Sequence, residues 1–379
     1  MNTTIVAVRE PSRYGDAVAA AGSALRDGAL VLFPTETAYG LAASALRSDA
    51  LSRLREIKKS TDARPFALNL ARRADARQFV PAPPAIAVHL ARRAWPGPLT
   101  LICGHVDPSS ADAVRRFGTA LVPNLYDGDK ISLRCPDHPA AEALLRAADV
   151  PVVATFAAPA GAAPPFDFGD AIAPLEGRVE FALDGGRSRF SVTSTVVETD
   201  QSGWRVTRQG VLDERTIRRM AAREVLFVCT GNSCRSPLAE YLFREKLARR
   251  LGIDGRQLAD QGVTISSAGT MAGFGSPASS GTLDELSRRG IDAGGHRSRS
   301  LTAELIQRSE RIYAMSDSHL AAIRALMGPG GPRAALLDDP RSVEDPIGGG
   351  PEDYRRCAEQ IEKAVQLRVE EFVNEDRDW

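Results

Sequence analysis

Between residues 225 and 237 the chain reads V-L-F-V-C-T-G-N-S-C-R-S-P, and no other stretch constrains the fold as much. The apolar run Val225–Val228 predicts a buried parallel strand. A short polar loop follows. The spacing then predicts an amphipathic helix from Pro237 to about Leu251, because proline at the first helical position loses no amide bond and already has the required φ. The loop therefore sits on a helix N-terminus, where free N–H groups and the positive end of the dipole attract an anion. Cys229, Arg235 and Ser236 lie within it. Cation and dipole both favour a thiolate over a thiol, and the guanidinium fork of Arg235 matches two oxygens of a phosphoryl group. Cys229 is then an in-line nucleophile able to form a phosphocysteine. C-x5-R alone arises by chance at strand ends, but C-x5-R-S-P between an apolar strand and a helix is far rarer.

With Thr230, Gly231, Asn232, Ser233 and Cys234 as the phosphate-binding loop, this region resembles the low-molecular-weight protein tyrosine phosphatases, a family that includes arginine phosphatases and arsenate reductases. The resemblance extends from about Glu224 to Phe372 and takes in Ser267-Ala268-Gly269, His296-Arg297-Ser298-Arg299, Ile312–Met315 with His319, and Asp345-Pro346. It implies a general acid at Asp345, and leaving-group chemistry asks independently for a proton donor. Asp345 stands in the Gly/Pro-rich segment D-P-I-G-G-G, which reads as a loop over a site. The implied fold is a four-stranded parallel sheet with flanking helices, anion at the strands' C-terminal edge, and the implied phosphatase needs no cofactor.

At 379 residues the chain is too long for one ordinary domain. Two α/β domains are expected, 1-220 and 224-379, joined near a charged helix at Asp213 to Arg223. Lys+Arg and Asp+Glu are both 48, so net charge gives no argument for DNA, double-stranded RNA or a membrane surface. Five scattered cysteines do not form a disulfide framework. A reducing cytoplasm is the expected location, with neither a signal peptide at Met1 to Arg9 nor an apolar run long enough to span a bilayer.

Along the first two hundred residues strands and helices alternate without a strict repeat: helix Asp16–Asp27 closed by Gly28, strand Ala29–Phe33, helix Leu51–Lys59, strand Phe66–Leu70, helix Pro84–Ala94, strands Leu99–Cys103 and Ile131–Arg134, helix Ala140–Ala148, and strands Val152–Thr155, Val179–Leu183, Ser194–Glu198 and Arg205–Arg208. This predicts an α/β layer structure with a twisted mixed sheet. Punctuating it are P-T-E-T-A-Y-G (from Pro34), W-P-G-P-L-T (from Trp95), R-C-P-D-H-P (from Arg134), D-G-G (from Asp184), S-T-V-V (from Ser194) and R-Q-G (from Arg208).

Six such motifs in this order resemble the YrdC-like threonylcarbamoyl-AMP synthases, over about Ala17 to Ile217. Members condense threonine, bicarbonate and ATP into an adenylate used in tRNA modification. The resemblance implies threonine contacts at Thr35, Arg134, Thr155 and Ser194, nucleotide contacts at Lys58 and Arg208, and ATP with Mg2+ as cofactors if the domain is active. This sequence departs from the family where the chemistry lies. A basic K-x-R is Lys58-Lys59-Ser60, the histidine after the next strand aligns with Asn69, and serine-alanine-asparagine is Phe156-Ala157-Ala158. Arg64 could replace the missing arginine only with a shifted loop. Losing the partner of a charged phosphate costs about 1.5–3 kcal/mol each, so a fold whose enzyme activity has decayed or changed is preferred to a working synthase.

In the second domain His296 and His319 lack ligands at metal spacing and read as structural or hydrogen-bonding residues. Ser233 stands where tyrosine phosphatases of the family carry a bulky aliphatic residue, and Ile347-Gly348-Gly349 replaces aromatics after Asp345-Pro346, leaving no evident ring for phosphotyrosine. Both features resemble arginine phosphatases. Cys357 is the only cysteine downstream of the loop, which disfavours arsenate reduction, and Cys234 is a candidate partner for Cys229 under oxidation. Three readings stay open: a phosphatase of phosphoproteins with a repurposed N-terminal domain, a bifunctional synthase–phosphatase, and a phosphatase joined to a domain that binds a regulatory small molecule.

Overall fold

The computed structural model describes all residues except Met1, 11–13, 60–61, 328–332 and 376–378. Ser60, the departure noted in the K-x-R position, lies outside the described residues. The chain divides into two compact units, Met1–Ala221 with Asp376–Trp379, and Ala222–Glu375.

The first unit is built on one mixed sheet, in the spatial order Thr4–Ala7, Phe181–Asp184, Val31–Phe33, Gly40–Ser44, Val152–Phe156, Ala67–Asn69, Lys130–Arg134, Leu99–Cys103, Thr195–Asp200 and Gly203–Arg208, with Tyr126–Asp127 pairing beside Lys130–Arg134. Parallel and antiparallel pairings are mixed along it. Successive side chains of a strand face opposite sides, and the core divides accordingly. Leu30 and Leu32 pack into one apolar cluster, Val31 and Phe33 into another. Helices Gly15–Asp27 and Pro139–Ala148 cover the second face. Strand Gly40–Ser44 was not expected. Its sequence, G-L-A-A-S, has little strand propensity, and it forms because it is buried throughout and pairs along both edges, with Val31–Phe33 and Val152–Phe156.

The second unit is the four-stranded parallel sheet, in the order Val263–Gly269, Arg223–Cys229, Arg311–Ala314, Arg333–Leu336. Val225 and Phe227 join one core cluster, Leu226 and Val228 the other. A strand covered on both faces is a continuous apolar run for this reason. Helix Arg235–Leu251 begins two residues before the expected Pro237, with Cys234 at its N-cap. Pro237 is its third residue, where an amide still has no intrahelical acceptor. The C-terminal helix is Pro351–Glu375, whose Ile361, Val365, Val369 and Phe372 are buried. Helix Asp317–Met327 and strand Arg333–Leu336 were not expected as elements. Among the described residues, no helix is long and apolar enough to cross a membrane.

Candidate active site

Strand Arg223–Cys229 delivers Cys229 to the C-terminal edge of the sheet, and the loop 230–234 turns over it into the helix. The turn depends on Asn232, whose φ is +53° and which is fully buried. Left-handed backbone is tolerated by asparagine better than by most residues. Its side chain fixes the loop three times: Nδ2 donates to Ser236 Oγ (3.0 Å) and to Ser267 Oγ (2.8 Å), and Oδ1 accepts from the amide of Arg299 (2.9 Å). His296 Nε2 lies 2.8 Å from its carbonyl oxygen. Gly269 lets the loop approach, since a Cβ there would come within 2.5 Å of the Thr230 carbonyl.

These contacts converge on one sulfur. The amide of Asn232 donates to Cys229 Sγ at 3.3 Å, and Ser236 Oγ lies 3.0 Å from it. Arg235 is buried, donates to the Val343 carbonyl (3.3 Å) and pairs with the carboxylate of Asp345, whose side chain is 39% exposed. Loop, nucleophile, arginine and carboxylate are thus brought together. Arg235 NH2 also reaches Thr230 Oγ1 at 3.4 Å, and Thr230 Oγ1 lies 2.9 Å from His319 Nε2. Burial, and then the neighbouring Arg235, push the His319 imidazole down to about 4, against a smaller opposing pull from Asp345. It is neutral in ordinary buffers. The thiols of Cys103, Cys135 and Cys357 are pushed up to about 12, chiefly by burial, and stay protonated. All five cysteines are free thiols, and Cys234 Sγ turns to Ser279 Oγ (3.3 Å) and Tyr354 OH (3.4 Å).

Sequence reasoning missed two exposed apolar residues on the segment that follows Gly269. Met271, whose amide donates to the Thr230 carbonyl (2.9 Å), and Phe274 are strongly exposed on the segment after Gly269. An aromatic ring thus stands on a loop neighbouring the phosphate loop, although the segment after Pro346 lacks one. The signal was an isolated phenylalanine among glycines, easily read as turn filler.

In the first unit Thr35, Arg134, Thr155, Ser194 and Arg208 line one cavity of about 280 Å³, with Phe66, Asn69, Thr100, Ser132 and Phe156. Lys58 lines a neighbouring one with Arg64. Arg134 is buried and donates to Thr35 Oγ1 (3.2 Å), Thr37 Oγ1 (2.5 Å) and Glu36 Oε1 (3.1 Å), while its Nε has no partner. Glu36 and Thr37 were visible in the P-T-E-T motif but not assigned a contact. Arg208 NH2 is held by Ser194 O and Oγ, both at 3.1 Å, and its guanidinium lies 5.1 Å from the Phe156 ring centroid. Burial, then repulsion from Arg134, lowers its affinity for a proton. Lys58 Nζ donates to the carbonyls of Phe156 (3.1 Å) and Ala158. Both cations expected on nucleotide are therefore held by the protein, next to the positions where hydrogen-bonding side chains are replaced by phenylalanine and alanine. The neighbouring cavity that Lys58 lines, about 650 Å³, also carries Arg64, Lys130 and Arg205.

Comparison with known proteins agrees with this division. The Sua5/YciO/YrdC family, described under the heading telomere recombination, matches residues 23–210, and the low molecular weight phosphotyrosine protein phosphatase family matches residues 224–377. The threonylcarbamoyl-AMP synthase of Bacillus subtilis is 34% identical over 48% of this chain, which spans 49% of that protein's length. The protein-arginine-phosphatase of Geobacillus stearothermophilus is 33% identical over 40% of this chain and 97% of its own. A doubly substituted form of Sua5 from Pyrococcus abyssi superposes with a TM-score of 0.51 over 88% of this chain and 99% of that one, at 21% identity, a likeness of fold alone. The chain is a fusion that carries a Sua5/YrdC domain at its N-terminal end and belongs, through residues 224–377, to the low-molecular-weight phosphotyrosine protein phosphatase family.

Proposed function

We propose that residues 224-379 form a cysteine-dependent phosphatase of phosphotyrosine or phosphoarginine in proteins. The observation that carries this reading is the convergence of the Asn232 amide, Ser236 Oγ and the Arg235–Asp345 pair around Cys229 at a helix N-terminus. In the first step Cys229 Sγ attacks phosphorus in line, and an S–P bond forms as the P–O or P–N bond breaks. Arg235 and the loop hold the equatorial oxygens, where charge is spread. Asp345 gives its proton to the departing phenoxide or guanidine. In the second step a water attacks the phosphocysteine, Asp345 takes its proton, and the thiolate leaves with Ser236 Oγ as hydrogen-bond partner. The proton count closes over the cycle, and neither metal nor cofactor is required by it.

Cys229→Ser tests the assignment. It should abolish hydrolysis of p-nitrophenyl phosphate and leave the fold unchanged by circular dichroism. Retained turnover, with Cys234→Ser inactive instead, would show that the wrong thiol has been named.

A second reading concerns the first unit. Because Lys58 and Arg208 are occupied within the protein while Arg134 lines the cavity with Thr35, Thr155 and Ser194, this unit is read as binding a small anionic ligand, such as an amino acid carboxylate, and not as making threonylcarbamoyl-AMP from ATP.

A further inference from the structure

Resting on the phosphatase reading above, one contact at its site reaches beyond the loop itself. His319 stands in the first turn of helix Asp317–Met327, just beyond the C-terminal end of strand Arg311–Ala314, and is buried. Its Nδ1 lies 2.7 Å from Ser316 Oγ and its Nε2 lies 2.9 Å from Thr230 Oγ1. Thr230 in turn is 3.4 Å from Arg235 NH2. Arg235 can only donate, so it needs a lone pair of the Thr230 oxygen. That oxygen is best placed as an acceptor when its own proton is given away, and the nearby group able to take it is an unprotonated Nε2. The remaining imidazole proton then lies on Nδ1, directed at Ser316.

We propose that His319 is a positioning residue for phosphate binding, which accepts the Thr230 hydroxyl's hydrogen bond and so turns the threonine oxygen towards Arg235. The proposal stands on the chain Ser316–His319–Thr230–Arg235, and three physical facts favour it. A helix N-terminus disfavours an imidazolium. Arg235 adds a second positive charge nearby, and burial removes water that would stabilise a third. The ring is therefore held neutral, the state in which one nitrogen accepts. Asp345 competes for the same guanidinium group. A phosphoryl group that displaces this carboxylate would leave Thr230 as one of the partners that keep the fork at its angle, and a small misplacement of such a fork is costly in rate.

The test is a double-mutant cycle read by inorganic phosphate, titrated calorimetrically against the full-length protein, with kcat/KM for p-nitrophenyl phosphate alongside. His319→Ala and Thr230→Val should each weaken phosphate roughly tenfold, the scale of one charge-assisted hydrogen bond, and the double variant should be no worse than either alone. His319→Gln, which restores a polar group near the Nε2 position, should recover part of the loss. Unchanged phosphate affinity in His319→Ala, or losses that multiply in the double variant, would overturn the proposal. Should His319→Ala fail to fold, Thr230→Val decides: it is isosteric, lies on the surface, and must still weaken phosphate. Phosphate binding does not depend on turnover, so a wild-type protein that binds phosphate without hydrolysing ester would sink the phosphatase reading and leave this one to be judged on its own.

Discussion

In the second unit the groups that would hold an anion come from one short loop, and in the first they come from Lys58, Arg134 and Arg208, far apart in the chain. The consequence is visible in what each cation touches. Arg235 reaches an exposed carboxylate on a loop, a partner that an incoming phosphoryl group can displace. Lys58 is held by two backbone carbonyls, and Arg208 by the carbonyl and hydroxyl of Ser194. Displacing those would leave buried acceptors unsatisfied, at about 1–3 kcal/mol each. A loop on a helix N-terminus keeps its chemistry as a unit, whereas a site assembled from distant strands can lose one partner at a time and fill the gap from within.

The largest break in this comparison is expected at Asp345. Asp345→Asn should slow hydrolysis of phenyl phosphate by roughly 10²–10⁴-fold, the usual contribution of a proton donor, and slow an activated ester much less. It should also tighten inorganic phosphate, because the carboxylate now paired with Arg235 becomes neutral. Opposite signs for turnover and binding are the signature of an acid that competes with substrate for the arginine. Equal losses for both esters would mean that Asp345 only shapes the loop.

How much could be read in advance follows the same division. The strand Arg223–Cys229 and the helix behind it were legible because each signal is local: an apolar run, a loop of fixed length, a proline in the first turn; the parallel sheet as a whole came from the family resemblance, and its edge strand Arg333–Leu336 was not read. What was not legible is the set of contacts that holds the loop in shape. Asn232 is one letter in a loop, yet it joins Ser236, Ser267 and Arg299, contacts set by where three other elements arrive. His319 was legible as a hydrogen-bonding residue but not as a neighbour of Thr230. In the first unit, Gly40–Ser44 hid because burial, not propensity, makes it a strand. The fate of Lys58 hid for a related reason: backbone carbonyls, its partners here, leave no mark in a sequence.

Specificity at the mouth sharpens the comparison further. Ser233 is small, and Phe274 supplies an exposed ring on a neighbouring loop, so both phosphotyrosine and phosphoarginine should be turned over. Ser233→Ile should shift kcat/KM towards phosphotyrosine by roughly ten- to two-hundredfold, the worth of a methylene or two in a pocket. The measurement compares both substrates for both proteins at one pH. A wild type that ignores phosphoarginine, with no change on substitution, would leave the tyrosine reading alone.

The first unit can be tested by restoring the family side chains from which its sequence departs. Wild-type protein should release no pyrophosphate from ATP with threonine and bicarbonate present. Phe156→Ser combined with Ala158→Asn should then raise ATP affinity by about tenfold for each phosphate contact regained, measured by calorimetry. Pyrophosphate release by the wild type, dependent on both threonine and bicarbonate, would instead establish a working synthase.

The smallest effect comes from the neutral histidine, and its sign follows from linkage. His319 titrates at about 4 in the folded protein, against 6.5 as the ordinary value. Below the ordinary value the unfolded chain takes up a proton that the folded protein refuses, so stability falls as the pH drops between those limits and the penalty is complete near the lower one. Arg235 strengthens this refusal, Asp345 opposes it, and Asp317 sits in the same helical turn. His319→Gln has no such proton to refuse. Its melting temperature should therefore fall less than the wild type's on going from neutral pH to about pH 4.5, the window set by the displaced imidazole, and the difference should be roughly a few degrees. Two units need not melt together, so the transition to follow is the one that added phosphate raises. Parallel pH profiles for the two proteins would mean that the imidazole titrates alike in the folded and unfolded chain, and that the fold does not enforce its neutral state.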